Sequence, residues 1–137
     1  RAAHRGARGD RAGYLEPALT GLPGIGPKAG LSRPVVNDAQ VPNLATNQAR
    51  RMAGVPVIEG SALEPWGFPV ETAPFSGSAL VYVDMGDRET PEGNVFPETN
   101  DNGHSEVGKT DIALQIIQPF LETGVVEMPC EGICDPD

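Results

Sequence analysis

The longest unbroken apolar run in the chain is Ala79-Leu80-Val81-Tyr82-Val83, which continues through Asp84 to Met85. Apolar residues that do not alternate with polar ones predict a strand covered on both faces. An acidic stretch over 87–106 follows and predicts a long loop. The period then changes. Ile112, Leu114, Ile116, Ile117, Phe120 and Leu121 give a helix over about 107–123 a wide apolar face, with Pro119 expected to kink or restart it and Gly124 to end it. The run VVEM predicts a last short extended piece. Upstream, Leu44, Ala45, Ala49, Met52 and Ala53 recur at three- and four-residue steps in NLATNQARRMA. That spacing predicts a second helix, with Asn43 as its N-cap, Arg50 and Arg51 in its last turn and Gly54 as its stop. A short strand is expected between Lys28 and Asn37, where Gly30 and Pro34 bend it or place it at an edge. VPVIEG (55–60) reads as a short strand or connector. Residues 61–77 read as an irregular arm that packs its aromatics, Trp66, Phe68 and Phe75, inward.

Strand, helix, excursion, strand, loop and closing helix follow one another in an α/β order. The expected architecture is a partial sheet of two or three strands flanked by two helices. Glycine and proline together make up nearly a quarter of the 137 residues, so the fold should be rich in loops. Hydrophobic residues are 39% and aromatics 5%, which limits the core to thin aliphatic packing. There is no apolar run long enough for a membrane span.

Charge divides the chain. Residues 1–33 carry six basic groups against Asp10 and Glu16, whereas the remainder carries 17 acidic groups against Arg50, Arg51, Arg88 and Lys109. An acidic surface repels phosphate backbones, so nucleic acid is not an expected partner of the folded part. The basic head predicts an irregular or disordered segment over 1–33, distinct from a folded unit over 34–137. Within it, TGLPGIGPKAG misses the dinucleotide spacing, and Pro27 removes an amide that a phosphate loop would use. Arg8-Gly9-Asp10 spells an adhesion tripeptide too short to outweigh chance. Cys130 and Cys134 are the only cysteines; two thiols fall short of a structural zinc site, and a disulfide in an oxidising compartment is the expectation.

Two groups carry candidate chemistry. Asp38 stands in VVNDAQVPNLAT, after the first strand and before a helix; His104 stands in NDNGHSEV, after strand 79–85 and before the closing helix. With SGSALV and the tail CEGICDP, this order resembles the last third of secreted bacterial α/β-hydrolases, over about residues 34–137. The resemblance implies a serine-dependent esterase- or lipase-like activity on small-molecule esters, with His104 as general base and acid and Asp38 orienting it. It also implies a secreted or periplasmic location and no cofactor. Serine, acid, histidine is the chain order of that fold. The nucleophile is absent: Ser32, Ser61, Ser76, Ser78 and Ser105 include none in a G-x-S-x-G elbow. The chain begins at Arg1, and the elbow is expected upstream, on a missing N-terminal half that this piece pairs with unless it self-associates. A second reading treats the acidic loop as a calcium-binding or interaction module, with Asp84, Asp87 and Asp101 among its hard oxygen donors.

Overall fold

The computed structural model describes residues 11–86 and 103–135, with Arg11–Tyr14 described by backbone alone. Its centre is a parallel sheet. Strands β1 (Leu31–Ser32), β2 (Val57–Ile58), β3 (Val70–Glu71) and β5 (Ala79–Leu80) lie in the order β1-β5-β2-β3. All three pairings are parallel, with Leu31 opposite Ala79, Val57 opposite Leu80 and Val57 opposite Val70. β4 (Phe75–Ser76) pairs antiparallel with β6 (Val125–Val126) in a separate ribbon. The class is α/β as expected, but among the described residues the main sheet has four strands rather than two or three. β1 occupies an edge, where Gly30 and Pro34 are tolerated.

The buried run continues past the short ladder of β5. Val81 N–H donates to Ser32 O, Val83 N–H to Pro34 O and Val36 N–H to Val83 O, so β1 and β5 remain aligned as far as Val36. Residues alternate across this sheet. Val57, Leu80 and Tyr82 pack on one face with Val36, Val55 and Phe68; Ile58, Ala79 and Val81 pack on the other with Ile116, Val126 and Cys134. Both faces are covered, which is why the sequence there has no polar alternation.

Helices close the two faces. α1 (Arg11–Thr20) lies against α2 (Asn43–Met52), so part of the segment expected to be irregular is helical. Leu19 of α1 packs on the Val57–Tyr82 face. α3 is a single turn, Gly103–Glu106, continued by a 3-10 turn over Val107–Lys109. α4 (Asp111–Thr123) begins at Thr110, whose hydroxyl accepts from Ala113 N–H at 3.2 Å, and ends at Gly124 in the left-handed conformation, φ 73°. α4 runs through Pro119 as one element.

Three expectations are corrected. α2 buries no residue, and Leu44 and Met52 of its apolar face are exposed; the helix meets the sheet through its polar side, where Asn47 Oδ1 accepts from the Tyr82 hydroxyl. Asn43 is not an N-cap; Pro42 holds that position without a side-chain bond. Trp66 is 90% exposed, leaving Phe68 as the buried aromatic of the arm and Phe75 partly buried on β4. Cys130 and Cys134 form the expected disulfide. Its segment is tied to the sheet ends by Cys134 N–H to Gly60 O and Asp84 N–H to Cys134 O. Gly60, at φ 86°, lets that tail approach closely: a Cβ there would stand 3.0 Å from Gly132 O.

Candidate active site

Asp38 follows closely on the aligned end of β1, and the hydrogen-bond pattern of its turn fixes the carboxylate. Oδ1 accepts from Gln40 N–H and Val41 N–H, each at 2.8 Å. This is an Asx-type turn, in which the side chain replaces backbone acceptors the loop would otherwise lack. Oδ2 is left facing the interior, with the Asp38 side chain only 4% exposed.

His104 meets that oxygen from a segment distant in sequence. Its Nδ1 stands 2.6 Å from Asp38 Oδ2 across sixty-six positions of chain. It lies on the α3 turn and not in an open loop. The convergence has a packing cause. Val107, one turn after His104, packs against Val35 and Val83, which are themselves bridged across the ends of β1 and β5. Val35 stands three residues before Asp38. One small apolar cluster therefore anchors both contributing segments at the same end of the sheet. In open α/β folds that C-terminal end of parallel strands is where ligands and reacting groups gather.

A carboxylate can only accept, so the short contact is satisfied when Nδ1 carries the proton. That tautomer leaves the Nε2 lone pair free. The His104 side chain is 44% exposed, and Nε2 has no hydrogen-bond partner among the described residues. The pair thus presents a buried, restrained acid behind an accessible imidazole nitrogen that can take up a proton.

Tyr82 lies beside this site and sequence reading gave it no part in it. Its phenol is buried, donates to Asn47 Oδ1 at 2.7 Å, and is pushed well above the ordinary tyrosine range by burial and then by the negative charge of Asp38. The signal in the sequence was one polar atom inside an otherwise aliphatic buried strand, which must find a partner.

The described serines do not complete a triad. Ser61 Oγ accepts from Tyr82 N–H and Ser78 Oγ from Gly30 N–H, so both serve the scaffold. Asp84 Oδ1 accepts from Gly86 N–H at 3.2 Å; Asp87 and Asp101, the other two candidate calcium donors, lie outside the described residues. Among the described residues no group of three or more His, Cys, Asp or Glu is placed to hold a metal ion, and no helix is long and apolar enough to cross a membrane.

No family model, curated protein or solved structure matches this chain.

Proposed function

We propose that this chain supplies the acid and the histidine of a serine hydrolase acting on ester-like bonds, with the nucleophile carried outside these 137 residues. The observation that carries the reading is the 2.6 Å contact between Asp38 Oδ2 and His104 Nδ1 at the ends of two parallel strands. Asp38 keeps the proton on Nδ1 and stabilises the imidazolium that forms during turnover. His104 Nε2 takes the proton of a serine hydroxyl as that oxygen attacks the ester carbonyl. It then returns the proton to the departing alkoxide, and repeats the cycle with water to release the acid. The disulfide accords with a secreted or periplasmic setting. The edge position of β1 among the described strands accords with pairing to an N-terminal half or to another copy.

Hydrolysis of a p-nitrophenyl ester by this chain, and by a protein extended upstream through a G-x-S-x-G element, tests the reading. The extended protein should turn over the ester, and His104→Ala should reduce its kcat by on the order of a thousandfold or more. The chain alone should show no triad turnover. An extended protein that hydrolyses the ester equally well without the imidazole would overturn the assignment.

A further inference from the structure

The turn that delivers Asp38 contains an unusual backbone conformation with a dedicated partner. Asn37, immediately before the acid, is buried at φ 58°, and among the described residues it is the only non-glycine residue with positive φ. Such a conformation persists where surrounding bonds over-determine it. One side chain bonds the backbone on both sides of this turn. Asn43 Oδ1 accepts from Asn37 N–H at 2.8 Å, and Asn43 Nδ2 donates to Val35 O at 2.8 Å.

These two backbone groups share an orientation. Pro34 O and Val36 N–H both bind Val83, so the even-numbered residues face β5 and the groups of 35 and 37 face away from it. In a parallel ladder, one residue of a neighbouring strand would donate to the first and accept from the second. The Asn43 carboxamide does both, taking the place of one residue of an adjoining strand at the point where β1 turns into the acid loop. Only a carboxamide on a short stem has a donor and an acceptor so arranged; a carboxylate lacks the donor and an alanine lacks both.

Resting on the dyad reading above, we propose that Asn43 is a positioning residue for the Asp38–His104 pair: it holds Asn37 in its left-handed turn and so aims the carboxylate at His104 Nδ1. The role is separate from helix capping, since α2 starts at Asn43 with no side-chain cap.

The test is ¹⁵N NMR of the imidazole nitrogens in this chain labelled at histidine, where His4 is the only other signal and His104→Ala gives the assignment. The parent protein should show His104 protonated at Nδ1. Asn43→Ala should lower the ratio of Nδ1-protonated to Nε2-protonated His104 by about fivefold, the weight of one net hydrogen bond. Gln48→Ala, on the exposed side of the same helix, should leave the ratio alone. Should Asn43→Ala fail to fold, Asn43→Asp keeps the acceptor for Asn37 and should give an intermediate ratio. A folded Asn43 variant with an unchanged ratio, whatever its melting temperature, would overturn the positioning role. A parent protein whose His104 shows no Nδ1 preference would instead overturn the dyad itself.

Discussion

Both oxygens of Asp38 are engaged, one by the amides of its own turn and one by His104. Asp38→Ala would strand those donors in a buried site, which costs about 1–3 kcal/mol. Urea unfolding should show a loss in that range; a midpoint unchanged from the parent would mean that the turn is held by other contacts. Tyr82 gives a pH test. Its fold-bound phenol loses its proton less readily than an unfolded tyrosine, which ionises near pH ~10. The associated stability is complete below that pH, and it is lost as pH rises through the folded phenol's own, higher value. Absorbance at 295 nm should therefore show Tyr82 ionising only with unfolding, and the urea midpoint should fall in alkali. Normal titration of both tyrosines in the folded protein would contradict the burial. At this scale the sequence singled out Asp38 and His104 by their order and flanking elements, and the fold brings their side chains into contact. Asn43 was read as a cap, because an Asn at a helix start signals capping equally well, and its two partners depend on how the preceding strand is paired.

Elements were readable where burial alone decided them. The run 79–83 is buried as its unbroken apolar character predicted, and Thr110 to Gly124 bound the closing helix with ordinary caps. α2 was located correctly, but its apolar face is largely outward, because periodicity shows that a face exists and not what covers it. The strands are shorter and more numerous than predicted, since two-residue ladders leave no periodic trace. The C-terminal disulfide segment behaves as an element of its own, with Cys134 buried among Ile58, Val81 and Ile116. Its five-residue loop limits the entropic gain to on the order of 2 kcal/mol. Unfolding with and without reductant should differ by about that amount. No difference would mean that Cys134 is held by packing and its bonds to Gly60 and Asp84 alone.

For the whole molecule, the decisive relation is that two segments far apart in sequence end at the same edge of one parallel sheet, tied by Val35, Val83 and Val107. Pairing of strands is non-local, so the sequence could suggest this meeting only through the order of its elements. If the pair acts as one proton-transfer unit, losing either member should remove most of what losing both removes. The measurement that addresses this most directly is p-nitrophenyl ester hydrolysis by the upstream-extended protein as parent, Asp38→Asn, His104→Ala and the double variant. The expected result is a loss of roughly a thousandfold or more in each single variant, with the double variant no worse than His104→Ala. Losses that multiply, or a His104→Ala enzyme as active as the parent, would contradict a working Asp38–His104 dyad.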